Sequence, residues 1–438
     1  MIRKIQRIFL LAVFLIMSFV ASAQSNGTYG SYSPYSIFGI GDISKEGTAY
    51  NKSMGGVGVA TRNRRFINYM NPAALTARDS LSFMADFGLQ QNNKVYKQGT
   101  MKSAHNTFNI YDFVMTFPIY RSSAFMVGIT PFSDVGYNFS SYEKDPDIIG
   151  NTGNITYDSY GTGSIYQIFA GAGVTFWKRF SLGAEIIYYF GNIDKVTNMD
   201  YSNSSYRSIN GGSDLFITGT TGKFGLQYEQ KIAGDVSMIV GATYKLNTKM
   251  KGYSTNYRYA NQESVSDTLN FSVDTLASAN MRFADELGVG ISFKGGEKWS
   301  AEFNYFRSDW TSSGMDTQPG FSSIGDSKFS STVSHSFRAG FEYTPNRNDI
   351  RYYMRRCSYR AGAYYDRAYY KLDGHNVNSM GVTLGITLPI SRLYNGVSLG
   401  VDFGQRSSTR YNMIRERYAM FVIGFNIHDL WFRKIQYQ

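Results

Sequence analysis

The sequence predicts an all-β protein, a transmembrane antiparallel β-barrel of about 14 strands of the outer-membrane type. Three features of the 438-residue chain point there. An export signal opens it, roughly fourteen short segments alternate apolar and polar residues, and the connections between them are alternately short and long.

The first element is the signal. Arg3, Lys4 and Arg7 give a basic start, residues 8–20 an apolar stretch short for a transmembrane helix, and Ala21, Ser22 and Ala23 a small-residue cleavage site. Residues 1–23 are thus expected to be a signal peptide, with the mature chain beginning at Gln24. No cysteine stands at that point, which argues against lipoprotein processing. The sole cysteine, Cys357, can form no intramolecular disulfide, suggests no metal chemistry, and is expected in the barrel wall or a turn.

One large domain follows, because no stretch reads as an interdomain linker and the 8 prolines are scattered. The 35 tyrosines and 32 phenylalanines suit strands that show aromatics to the membrane interfaces, and the 44 glycines suit a crowded interior. The slightly negative mean hydropathy excludes a bundle of apolar helices but not a barrel, in which only every second residue meets lipid. The net charge of +11 forms no compact basic and aromatic cluster, so nucleic acid is not an expected partner; lipid headgroups or anionic ligands are better matches.

The wall, residues 80–438, is read from period-two alternation. In residues 80–90, Leu81, Phe83, Ala85, Phe87 and Leu89 face lipid, while Ser82, Met84, Asp86 and Gly88 face the lumen. Further along, Leu182, Ala184, Ile186 and Tyr188 oppose Ser181, Gly183 and Glu185; Trp299, Ala301, Phe303 and Tyr305 oppose Glu302 and Asn304. Phe337, Ala339, Phe341 and Tyr343 oppose Arg338 and Glu342, and Val397, Leu399, Val401 and Phe403 oppose Ser398, Gly400, Asp402 and Gly404. Other strands are expected to begin near Thr107, Ser123, Gly163, Ser213, Asp235, Ala279, Ser358, Asn378 and Ile414.

Tight turns are expected at Arg121 and Ser122, Lys178 and Arg179, Ala233 and Gly234, Gly295 and Gly296, and Arg392 and Leu393; long polar loops are expected at 140–160, 192–212, 251–278 and 311–331. Short turns in outer-membrane barrels lie in the periplasm, which puts both termini there. The connection at 345–356 is long for such a turn.

Residues 24–79 lack convincing strand periodicity and carry two glycine-rich runs, Phe38-Gly39-Ile40-Gly41-Asp42 and Met54-Gly55-Gly56-Val57-Gly58. A dinucleotide loop needs a preceding parallel strand and a following helix, and neither is present in the pattern; compact irregular packing fits better. Met54-Gly55-Gly56 followed by Asn71-Pro72-Ala73-Ala74-Leu75, directly before a barrel of about fourteen strands, resembles the FadL family of outer-membrane transporters for long-chain fatty acids and other hydrophobic compounds. The resemblance implies an N-terminal hatch inside the lumen, an apolar ligand path, and escape of ligand through the barrel wall.

By that resemblance Asn71, Pro72 and Ala73 form the hatch gate. Asn, Pro and Ala also make a rigid turn on their own chemistry, and the two roles are compatible. The third strand contains Pro131, which removes a donor from the ladder and predicts a local gap or bulge; the resemblance implies a lateral opening at a kink in this strand, for which Gly128, Pro131 and Gly136 are the candidates, with a proline at a strand end as the alternative. Inward Asp86, Glu185, Glu302, Glu342 and Asp402 suggest an anionic wall holding a cationic hatch through Lys52, Arg62, Arg64, Arg65 and Arg78. Arg62, Arg64 and Arg65 are the candidate ligand-headgroup contacts, with simple anchoring as the alternative.

No cofactor or metal is expected, since His105, His335, His375 and His428 are dispersed, and no catalytic residue is nominated. The expected function is uptake of long-chain fatty acids or other hydrophobic small molecules. The alternative is a non-catalytic FadL-like barrel subunit of an outer-membrane secretion or barrel-assembly complex, bound to other envelope proteins. For that reading Arg351-Tyr352-Tyr353-Met354-Arg355-Arg356 offers a docking surface, because Tyr and Arg are enriched in binding hot spots.

Overall fold

A computed structural model describes residues 30–430 except 79–81, 121–122, 178, 263–264, 277–279, 318–322, 325–326 and 391–394. The signal peptide, Gln24, Leu81, Lys178, and the turns at Arg121 and Ser122 and at Arg392 and Leu393 lie outside the described residues.

The wall runs β1 (Ser82–Gln98), β2 (Met101–Tyr120), β3 (Ser123–Tyr142), β4 (Ile155–Phe176), β5 (Phe180–Tyr201), β6 (Ser208–Ala233), β7 (Val236–Lys245), β8 (Glu286–Gly295), β9 (Trp299–Asp309), β10 (Val333–Tyr343), β11 (Ser358–Leu372), β12 (His375–Pro389), β13 (Gly396–Arg406) and β14 (Arg415–Leu430). Each pairs antiparallel with its neighbour in sequence, and β14 pairs with β1 from Leu430↔Ser82 to Arg415↔Lys97, closing the ring. Closure leaves no sheet edge at the seam, as lipid requires.

The alternation read from sequence sets the two faces. Ile186, Phe303, Phe337, Phe341 and Leu384 are exposed on the outside, whereas Ser181, Glu185, Glu302, Glu342 and Asp402 are buried on the inside. An apolar exterior over a polar lumen is the arrangement of a membrane-spanning barrel.

Of the polar stretches expected as loops, 192–212 and 251–278 are largely strand. β5 runs on to Tyr201, β6 begins at Ser208, and residues 251–278 hold a hairpin, Lys251–Gln262 with Val265–Thr275, whose first strand pairs with β6 beyond the end of β7. With 26 residues, β6 far exceeds the ~9–11 needed to cross a bilayer. Beyond lipid the outer face need not be apolar, so the alternation fades while pairing continues through polar cross-strand contacts such as Asn210 Nδ2 to Asn198 Oδ1, 2.7 Å, and Ser213 Oγ to Asn256 Oδ1, 2.6 Å. At the short-turn end, residues 344–357 carry a one-turn helix, Tyr353–Arg356, and bury Cys357 behind it.

Candidate functional site

The N-terminal segment lies against the inner face of strands from all round the ring. What admits it is a belt of inward glycines that are cross-strand neighbours: Gly173, Gly183 and Gly225 on β4 to β6, Gly241 and Gly290 on β7 and β8, Gly340 and Gly362 on β10 and β11, and Gly385 and Gly400 on β12 and β13. A Cβ at Gly183 would overlap Pro72, at Gly225 Asn71, at Gly241 Val59, at Gly362 Gly55, and at Gly385 Ser53. Gly55 and Gly56 themselves hold left-handed φ values of 73° and 77°, so the chain turns where it meets the wall.

Polar groups fix the register of this docking. Gly55 N donates to Thr383 Oγ1 at 2.7 Å, Gly58 N to Asn304 Oδ1 at 2.8 Å, and Ala60 N to Glu302 Oε1 at 2.8 Å. Asn71 caps the 3-10 helix Pro72–Ala77 by accepting from Ala73 N at 3.0 Å, and its Nδ2 donates to Val59 O at 2.7 Å and Leu226 O at 3.2 Å. Asn71, Pro72 and Ala73 therefore form a rigid turn that is tied to the segment's own backbone and to the wall.

The charge pattern differs from a cationic hatch in an anionic wall, because both partners carry both signs. Asp42 pairs with Arg406 at 2.8 Å, and Arg406 and Lys94 meet Glu416 at 3.7 and 3.0 Å. Lys45 lies 3.6 Å from both Asp366 and Asp402 and sits over the Tyr364 ring. Glu46 faces wall lysines, Lys223 at 2.9 Å and Lys245 at 3.8 Å. Burial alone would raise the Glu46 carboxyl, but those two ammonium groups hold it below the usual carboxylate range. Inward Lys94, Lys223, Lys245 and Arg406 are the residues that the reading of acidic wall positions missed; their phase on the strands was the available signal. Of the expected wall anions, Glu342 binds another wall residue, Arg360, at 3.2 Å, and Glu302 binds backbone and Thr61.

Apart from Lys223, Glu302, Glu342 and Arg360, these charges line a cavity of about 290 Å3, with Pro131, Phe132 and Tyr189 as apolar parts of its lining. Arg62, Arg64 and Arg65 are not among its lining residues. Arg62 is held by Ser181 at 2.8 Å and Glu229 at 3.3 Å, Arg65 by Glu297 at 3.0 Å, and Arg64 is exposed. All three border a second cavity of about 230 Å3 at the short-turn end, with Lys294 and Arg347. A local run of charge carries no information on which end of the lumen it reaches, and the three candidate headgroup contacts lie together at this second cavity.

Pro131 lies inside β3, not at its end. The β2–β3 ladder stops at Phe113↔Ile129, and above it residues 101–112 of β2 pair with β1 alone. Residues 130–137 of β3 are buried on both faces, with a bulge between Pro131 and Ser133 opposite β4. The edge that β2 leaves is taken by the N-terminal segment, where Asp42–Ile43 pairs with Asp134 and Ser133, Ser44 N donates to Phe132 O at 2.9 Å, and Ser33 N to Gly136 O at 2.8 Å. Gly128 sits on the rung next to the last, opposite Val114.

No group of three or more His, Cys, Asp or Glu with metal-site geometry occurs among the described residues. Solved barrels share the fold at low identity. The P. putida toluene transporter TodX has a TM-score of 0.60 at 14% identity, covering 90% of this chain and 100% of that one. The Ralstonia pickettii toluene transporter TbuX scores 0.57 at 16%, covering 87% and 98%, and a Pseudomonas aeruginosa FadL homologue 0.56 at 10%, covering 89% and 99%. A search of curated proteins found no match. The family model BamG matches residues 1–438, the whole of the sequence, so this barrel of FadL-like fold belongs to the BamG family.

Proposed function

We propose that the chain is a non-catalytic barrel subunit of an outer-membrane assembly or secretion complex, with residues 24–79 acting as a fixed hatch in the barrel of residues 80–438. The observation that carries this reading is the way the segment is held: backbone docked on a glycine belt and buried ion pairs of both signs. A hatch that moves for each ligand must break these contacts, and buried pairs are costly to separate. The cavity it leaves is lined by charges, which a hydrocarbon would desolvate without replacing their hydration. Short turns and both termini lie in the periplasm in this reading, as is usual for outer-membrane barrels.

A second reading, uptake of long-chain fatty acids or other hydrophobic compounds, is favoured by the interruption between β2 and β3, where Gly128, Pro131 and Gly136 would border a lateral opening and Asn71, Pro72 and Ala73 would gate the hatch. The toluene transporters of similar fold support it as well.

Native mass spectrometry of the protein extracted from its own membranes in mild detergent tests the two. The expected result is a stable assembly with other envelope proteins and no selected ligand. A free barrel carrying a selected acyl or aromatic compound overturns the first reading, and trapping of an apolar photoprobe beside Pro131 then establishes the second.

A further inference from the structure

Residues 344–357, between β10 and β11, are longer than the neighbouring short turns yet rigidly built. Asp349 accepts from the backbone of Arg351 and Tyr352 at 2.8 and 2.7 Å, and Asn346 N donates to Arg355 O at 2.9 Å. The loop is also tied to two neighbours, Thr344 N to Lys298 O at 2.7 Å and Tyr353 Oη to Pro389 O at 3.0 Å.

This framework holds apolar groups out of the protein. Ile350 is 99% exposed, and Tyr352 and Met354 are each more than half exposed. Such groups on an ordered loop mark an interaction surface. Their surroundings are basic: Arg351 and Arg355 are exposed beside them, and Arg64 and Lys294 border the cavity at the same end together with Arg347. The nearby acids are already engaged, Glu229 by Arg62, Glu297 by Arg65, Glu342 by Arg347 and Arg360, and Asp349 by Arg355. These pairs take up Arg347 and Arg355 as well, and the positive charge left for a partner is that of Arg64, Lys294 and Arg351.

We propose that this loop and the adjoining mouth form a docking surface for an acidic segment with apolar side chains, carried by a periplasmic protein or domain. A protein is favoured over lipid by the course of the charge. Lipid headgroups reach the rim of a barrel, but Arg64, Lys294 and Arg347 belong to a cavity formed by the N-terminal segment and the inner wall. The inference rests on the assembly reading above and names a face and a partner chemistry for it.

The test places a benzophenone amino acid at Ile350 in whole cells. The expected result is one protein adduct, mapped to a peptide that combines clustered Asp and Glu with apolar residues, and at least a tenfold loss of that adduct in the Arg351→Glu, Arg64→Glu variant, which leaves the Arg355–Asp349 pair of the loop in place. An adduct with phospholipid, no adduct, or one indifferent to charge reversal overturns the docking surface. Native mass spectrometry of wild type and variant separates the two levels. If the variant's assembly is intact while the adduct is lost, the docking surface holds without being needed for assembly; if the wild type has no assembly at all, the proposed function fails.

Discussion

The Gly362→Val variant is expected to dislodge residues 53–57 from the wall and to raise conductance through the barrel. Gly362 faces inward on β11 beside Gly340 on β10, and a Cβ on it would overlap the backbone of Met54 and Gly55. Backbone cannot swing aside as a side chain can. The obstructed segment is also where Gly55 N donates to Thr383 Oγ1, so the clash removes a buried hydrogen bond as well. Overpacking costs about 1–3 kcal/mol and the lost bond about 1 kcal/mol more. The wall itself keeps its ladder, because valine suits a strand. Conductance in planar bilayers and protease cleavage within residues 30–78 should therefore rise together while the barrel stays folded. Gly222→Ala is the control, since the nearest atom to its Cβ is an ordinary 3.5 Å away. Unchanged conductance in Gly362→Val would show that the belt does not position the segment.

Which parts of this were legible in the sequence follows from the range of the forces involved. The two faces of the wall could be read because alternation is local: Ile186 and Glu185 reveal their sides as neighbours, and both lie where the alternation puts them. Strand ends were less legible, since residues 192–201 and 208–212 pair outside the bilayer, where no apolar face marks them. Glycine-rich composition announced a crowded interior. That Gly183 lies under Pro72 and Gly362 under Gly55 depends on contacts spanning more than a hundred residues, which no local pattern encodes. Pro131 announced a disturbed ladder, but the replacement of β2 by Asp42–Ile43 along that edge required the fold. The arginines at 62, 64 and 65 were visible as charge and not as location. Glu46 was obscured for the opposite reason: one carboxylate among many, it is singled out only by the lysines that β6 and β7 bring to it.

Removal of the Arg360 side chain should destabilise the folded barrel by about 3–5 kcal/mol, the range for breaking a buried ion pair on one side. The Arg360 side chain is fully buried, pairs with Glu342 at 3.2 Å, donates to Ser53 Oγ at 3.1 Å, and stacks its guanidinium 4.4 Å from the Tyr50 ring and 5.0 Å from Phe66. It therefore joins β10 to β11 and both to the N-terminal segment. Arg360→Ala leaves Glu342 with Arg347 as its remaining ion-pair partner and opens space beneath Tyr50 and Phe66. Arg360→Lys keeps the charge but loses the planar stack and the fork, so an intermediate loss is expected. The informative comparison is Arg360→Met with Glu342→Leu, because replacing both members of a buried pair by apolar groups of similar volume is often neutral or stabilising. Urea unfolding in detergent, followed by the heat-modifiable shift on gels, reads wall stability, and bilayer conductance reads the seating of the segment. If the pair serves only the wall, the double variant recovers both. If the Ser53 and Tyr50 contacts position the hatch, stability returns while conductance stays raised, and that split would assign Arg360 a role in holding the segment apart from its role in the barrel. A loss below about 1 kcal/mol in Arg360→Ala, the level of an exposed pair, would contradict the burial on which the argument rests.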